Sequence, residues 1–182
     1  QHLNQAGALV HIYTDGSVQL NHGGTEMGQG LNTKVAQVVA TELGIDVDRV
    51  LITSTRTDKV PNTSPTAASS GADLNGKAAQ HAAQTLKERL IDCVATQLKT
   101  APDSIRFVNN QVLYDGGSLS FAEVAEMAYK QRVSLSATGY YKTPLIHYDR
   151  HSGKGHPFFY YAMGAAVAEV VVDTLTGEHK TT

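Results

Sequence analysis

Two runs of small and polar residues constrain this chain more than anything else in it. The first is Gly24-Thr-Glu-Met-Gly-Gln-Gly30 and the second is Ser64-Pro-Thr-Ala-Ala-Ser69. A β-rich stretch, Val18–His22, feeds the first run, and an apolar-periodic helix leaves it. A second β-rich stretch, Val50–Ser54, leads through a longer loop to the second run, which opens another helix. Helix N-termini carry unpaired N–H groups and partial positive charge, so they attract anions. Glycine adds close access to the backbone because no Cβ stands in the way. Two such loops near each other predict a phosphate-bearing ligand gripped largely by main chain. Neither is a P-loop, since no Gly-Lys-Ser/Thr follows, and the glycine spacing is not that of a dinucleotide fingerprint. A lone Gly-Gln-Gly turn more often just redirects the chain.

Hydrophobic periodicity lays out the elements around these loops. Ala8–Tyr13 and Val18–His22 flank Thr14-Asp-Gly-Ser17, and Asp-Gly between β-rich runs predicts a hairpin. Leu31, Val35, Val38, Val39 and Leu43 recur at helical spacing, with Gly44 as a stop. Val50–Thr55 reads as a strand, and residues 56–66, with two prolines and Asn62, as an irregular loop. A long helix follows, one face marked by Ala79, Ala82, Ala83, Leu86, Leu90, Val94 and Leu98, its end by Pro102. Gly71 and Gly76 in its first turns each cost about 1 kcal/mol against alanine, so close packing or a ligand is expected beside them. Ile105–Val108 and Gln111–Tyr114 form a second hairpin through Asn109-Asn110. Ser120 and Glu123 make a capping box for a short helix that turns Val124, Met127 and Ala128 inward. Val133–Tyr141 alternates as a strand, residues 142–157 read as a loop, and Phe158–Val172 reads as a long buried strand. The expected order is ββαβαββαββ, an α+β (mixed α/β) class with helices packed on mixed β-sheets.

Charge and cysteine content exclude several function classes. The 15 basic and 17 acidic side chains leave a net charge of −2 with no Lys/Arg run, so nucleic acid is not an expected partner. No stretch is apolar for long enough to span a bilayer, so no membrane partner is expected either. Cys93 is the single cysteine; it rules out an internal disulfide or a Cys-rich metal or iron–sulfur site and points to a cytoplasmic setting. It falls beside the apolar face of the long helix, where a small core residue is the default. His147 and His151 are four apart but lie in a Pro/Gly-bounded loop without the zincin Glu, and read as surface histidines. His11 and His22 sit in strands and read as packed or exposed. The acidic pairs Glu26/Asp58 and Asp46/Asp48 have no spacing that demands acid–base work. From the residues alone, there is neither a nucleophile triad nor a metal cluster.

The full wording of the loops adds to this. Gly24-Thr-Glu-Met-Gly-Gln-Gly30, Val60-Pro-Asn-Thr-Ser-Pro-Thr-Ala-Ala-Ser69 and Ala72-Asp-Leu-Asn-Gly76 closely resemble the molybdenum-binding subunit of the xanthine dehydrogenase family. Arg132-Val-Ser-Leu-Ser-Ala-Thr-Gly139, Pro157-Phe-Phe-Tyr160 and Asp173-Thr-Leu-Thr-Gly-Glu-His-Lys180 fit the same family in order. The resemblance implies a molybdopterin cofactor whose metal takes no side-chain ligand, so that the protein binds and orients the cofactor. It implies cofactor contacts at Met27, Gly28, Gln29, Thr66, Ala68, Ser69, Ser70 and Gly71. Ala67 and Ala68 would lie beside the substrate pocket. It also implies a purine substrate (xanthine or hypoxanthine), and FAD and [2Fe-2S] clusters on other domains or subunits of the same enzyme. An aldehyde oxidase or another molybdenum hydroxylase is the nearby alternative; those relatives tend to carry a Gly/Ser-type segment in place of Thr66-Ala-Ala-Ser69, which favours the xanthine dehydrogenase side. A non-catalytic binding module is the alternative from another class.

The family's general-base glutamate belongs to a Gly-Glu-Pro-Pro-like segment, and no such segment occurs here. The residues that sandwich and read the purine belong before Gln1. No catalytic residue is therefore expected within residues 1–182. The chain opens on Gln1 and stops at Thr182, just after a turn signal at Thr176-Gly-Glu178 that should lead into another strand. It reads as a piece of the molybdopterin-binding domain of a larger subunit, cut at both ends.

Overall fold

The computed structural model describes residues 3–60, 63–161 and 163–181. Pro61 and Asn62 of the expected loop lie outside the described residues. The chain divides into a unit that runs to Pro144 and another that starts at Leu145. In chain order the first unit holds β1 (Gln5–Ile12), β2 (Val18–His22), α1 (Leu31–Leu43), β3 (Val50–Ile52) and α2 (Gly71–Leu98). It continues with β4 (Arg106–Val108), β5 (Gln111–Tyr114), β6 (Gly117–Ser120), α3 (Phe121–Lys130) and β7 (Ser136–Lys142). The second unit holds β8 (His147–Asp149), β9 (Lys154–His156), β10 (Val170–Val172) and β11 (His179–Thr181).

Alternation in β1 puts Ala6, Ala8, Val10 and Ile12 on one buried face. β1 pairs antiparallel with β2, Ile12 opposite Val18, and with β7, Leu9 opposite Thr138. β3 joins β2 in parallel, which requires the crossover that α1 supplies. The sheet order is β3-β2-β1-β7. α2 lies on this sheet through Ala78, Ala79, Ala82 and Ala83, all fully buried. Small side chains let helix and sheet backbones approach closely. The approach is tightest at Gly139 in β7, where a Cβ would stand 2.6 Å from Ala82 N and nearer still to Ala78 O. Farther along α2, Leu86 and Leu90 are fully buried. α3 opens with the expected capping box: Ser120 Oγ accepts from Glu123 N–H, and the Glu123 carboxylate accepts from Ser120 N–H at 2.7 Å.

The structure departs from the sequence expectations in five places. β3 ends at Ile52 instead of Thr55, because Thr53 and Thr55 turn their hydroxyls onto the Asn21 side chain and Gly24 O. β7 begins at Ser136, since Val133 N–H is taken by Ala128 O at the end of α3 and Arg132 sits at φ 61°. β6 adds a third strand to the second hairpin, and β8 pairs with β9 inside the expected 142–157 loop. β6, β8 and β9 are short and largely polar or exposed, held by ladder hydrogen bonds that hydrophobic periodicity cannot register. The long buried strand expected at Phe158–Val172 is not formed by its described residues. Among its described residues only Val170–Val172 joins a ladder, with β11, and Met163 and Val167 are each 97% exposed. An apolar run becomes a buried strand only where neighbours supply a ladder and a cover. β11 itself is the strand that Thr176-Gly-Glu178 predicted.

Candidate functional site

The Gly24–Gly30 turn is built around Glu26. One carboxylate oxygen accepts from Gly28 N–H and Gly30 N–H, both at 3.0 Å, and the other accepts from Asn32 N–H at 2.9 Å. The three amides lie at the start of α1, so the anion at this helix N-terminus is the chain's own side chain. Gly30, the N-cap, offers no side-chain cap of its own. The Asn32 amide first, then those of Gly30 and Gly28, hold the exposed Glu26 carboxyl below the usual carboxylate range. The Gln29 side chain folds onto the same turn: its Oε1 accepts from Met27 N–H at 2.6 Å and its Nε2 donates to Thr25 O at 2.9 Å.

Beneath the turn, His22 is 2% exposed. Its Nδ1 accepts from Gly24 N–H at 3.1 Å and its Nε2 faces Asn32 Oδ1 at 3.0 Å. The tautomer that satisfies both carries its proton on Nε2. Burial pushes the imidazole pKa down, against the Asn32 bond and the Glu26 charge, which push it up.

The second loop is tied to the first. Thr66 Oγ1 accepts from Thr25 N–H at 2.8 Å. Ser64 exchanges backbone and side-chain bonds with Gln5, and the Thr63 hydroxyl accepts from Gly7 N–H, so this loop runs beside β1 beyond the end of β2. Ala67 is extended, Ala68 is left-handed at φ 51°, and a 3-10 turn at Ala68–Ser70 runs into α2. A non-glycine residue in that region costs about 1–2 kcal/mol. Ser70, the N-cap of α2, makes no side-chain cap; its hydroxyl donates to Ala67 O at 3.2 Å. Asn75, 2% exposed, sits in α2 against the first loop: its Nδ2 donates to Gly71 O one turn earlier in the same helix at 2.8 Å, and a Cβ on Gly24 would stand 2.7 Å from it.

Between the loops opens a cleft of about 320 Å³. Met27, Gln29, Thr66, Ala68, Ser69 and Gly71 line it, together with Leu31, Lys34 and Ala72. Six of the eight residues expected at a cofactor site thus share one cavity. Gly28, Ser70 and Ala67 adjoin it in sequence without lining it. A family model described as Molybdopterin cofactor-binding domain matches residues 1–182. The chain belongs to the molybdopterin cofactor-binding domain family. It is 48% identical over 178 residues to xanthine dehydrogenase/oxidase of Gallus gallus, and 48% identical over 179 residues to xanthine dehydrogenase of Oryza sativa subsp. japonica. Each alignment covers 98% of this chain and 12% of the relative's length. Among solved structures it is similar to quinoline 2-oxidoreductase from Pseudomonas putida 86, with a TM-score of 0.68 and 26% identity over 76% of this chain and 19% of that one.

The cleft of this molybdopterin-binding domain fits such a group. Gly28 and Gly30 have positive φ, and a Cβ at either would meet nothing within 4 Å, so the first turn shows bare backbone on its open side. A Cβ at Gly71 would meet only Leu31, at 3.5 Å, so packing inside the chain does not demand glycine at the cleft wall. Lys34 adds a cation. Sequence reasoning missed Glu26, His22 and Asn75. By spacing, Glu26 and Asp58 read only as acidic residues without acid–base work, and Asp58 pairs with Arg56 at 3.1 Å. A signal was present: an acidic residue shortly before a helix, in a glycine turn, is an N-terminal anion supplied by the chain itself.

Proposed function

We propose that this chain is the molybdopterin cradle of a larger molybdenum hydroxylase that oxidises hypoxanthine and xanthine to urate. The observation that carries the reading is the cleft that gathers Met27, Gln29, Thr66, Ala68, Ser69 and Gly71, in a chain 48% identical to relatives named xanthine dehydrogenase. Bound molybdopterin supplies the redox chemistry, and the chain holds and orients it. The Met27-Gly28-Gln29 backbone would flank the pterin. The uncapped start of α2, with the Ser69 and Ser70 hydroxyls, would receive the cofactor phosphate, because the start of α1 is already filled by Glu26. Ala67 and Ala68, both exposed, would leave room and main-chain groups for the purine. The general base, the residues that read the purine, FAD and the [2Fe-2S] clusters would belong to the rest of the enzyme.

The test compares two proteins. The full-length protein, loaded with molybdopterin, is expected to turn xanthine into urate. The 182-residue chain, given the same cofactor and an electron acceptor, is expected to show no turnover above a protein-free blank. A full-length protein inert toward xanthine would overturn the substrate assignment, and turnover by the chain alone would overturn the division of labour.

A further inference from the structure

We infer that Glu26 is the positioning residue of the cofactor turn: its carboxylate stands in for a bound anion at the start of α1 and presets the Met27-Gly28-Gln29 backbone before any cofactor arrives. The inference rests on reading Met27–Gln29 as cofactor contacts. Its own support is the geometry of the turn. A turn exposed over Thr25–Gln29, with two positive-φ glycines and no neighbour within 4 Å of the positions their Cβ atoms would take, has little packing to order it. Three N–H donors that span Gly28 to Asn32 meet on one carboxylate, and two further bonds fold the Gln29 amide onto the same turn. Asn32 is held from below by buried His22, and His22 in turn holds Gly24, so both ends of the turn are anchored to β2. Preorganisation of this kind removes an ordering cost from ligand binding. It also decides which helix start meets the ligand anion, since a second negative group at α1 would face Glu26.

The experiment uses the full-length protein, with and without molybdopterin, and measures amide exchange in residues 27–32 and molybdenum per subunit at limiting cofactor. In wild type, the amides of Gly28, Gly30 and Asn32 are expected to be protected to a similar degree in both states. In Glu26→Gln, they should exchange about tenfold faster without cofactor and regain protection when it binds. Molybdenum content should fall with them. Glu123→Gln, which removes the equivalent carboxylate from α3, serves as the control for loss of a helix cap alone. Glu26→Asp, too short to span the same three amides, should follow Glu26→Gln and serves if that variant is not recovered. Unprotected amides in the cofactor-free wild type, or equal molybdenum loss in Glu123→Gln, would overturn the role of Glu26. Gly71→Leu, on the cleft wall and outside the Glu26 turn, tests the underlying site separately: normal molybdenum content there would refute the cleft as the cofactor site whatever Glu26 does.

Discussion

Gly139→Ala should loosen the fold and the cleft together. The new Cβ would lie 2.6 Å from Ala82 N, whereas ordinary contacts begin at 3.4 Å. α2 would have to withdraw by the difference, about 0.8 Å, and further to clear Ala78 O, which is closer. Both obstacles are backbone, so no side-chain rotamer can yield. That places the cost near the upper end of overpacking, about 3 kcal/mol. Alanine in a strand recovers roughly 0.5–1 kcal/mol of backbone entropy relative to glycine. The net loss is about 2 kcal/mol, a fall in Tm of roughly 4–8 °C for a domain of this size. Gly76→Ala is the matched control. Its Cβ would meet only Val38, at 3.6 Å, so helix propensity should raise stability by up to about 1 kcal/mol. Calorimetry of the purified chain measures both. Because α2 begins at the cleft wall, the full-length Gly139→Ala protein should also hold less molybdenum per subunit. A Tm within 2 °C of wild type, by the roughly 2–4 °C per kcal/mol scale, would refute the close-approach argument.

In the full-length protein, Gly28→Val places a β-branched side chain at φ 98° on the open side of the turn and should lower molybdenum content; metal analysis at wild-type occupancy with normal activity would make the turn merely structural. Ala68→Leu should keep near-normal molybdenum while kcat/KM for xanthine falls about a hundredfold, which is roughly 2.7 kcal/mol of transition-state binding. Loss of cofactor in proportion to activity would instead assign Ala68 to the cradle alone. The Ser120 backbone N–H, and then its hydroxyl, hold the Glu123 carboxyl below its ordinary pKa, so the capping contribution is present above the ordinary carboxylate range and lost as pH falls through the lowered folded value. Amide exchange in the first turn of α3 should therefore differ between wild type and Glu123→Gln at neutral pH and converge in strong acid; an equal gap at both would remove the carboxylate from the explanation.

Local chemistry makes much of this chain legible from the sequence itself. Asp15-Gly16 specified the β1–β2 hairpin, Gly44 the end of α1, Asn109-Asn110 a left-handed two-residue turn, and Ser120 with Glu123 the start of α3, because each signal acts through backbone within a few residues. The two loops were legible as a pair, and their wording carried the family. Tertiary structure alone decided what required distant partners. It set the order β3-β2-β1-β7, the contact of Gly139 with the alanine face of α2, and the Thr25–Thr66 bond and Gly24–Asn75 packing that draw the loops around one cleft. It put Glu26, unremarkable by spacing, at the centre of the first turn. It also left the described residues of the apolar Phe158–Val172 run, Val170–Val172 apart, without a ladder. Periodicity measures which residues favour burial, but the hydrogen-bond partners and neighbouring backbones that complete a strand or a site are supplied by chain far away in sequence.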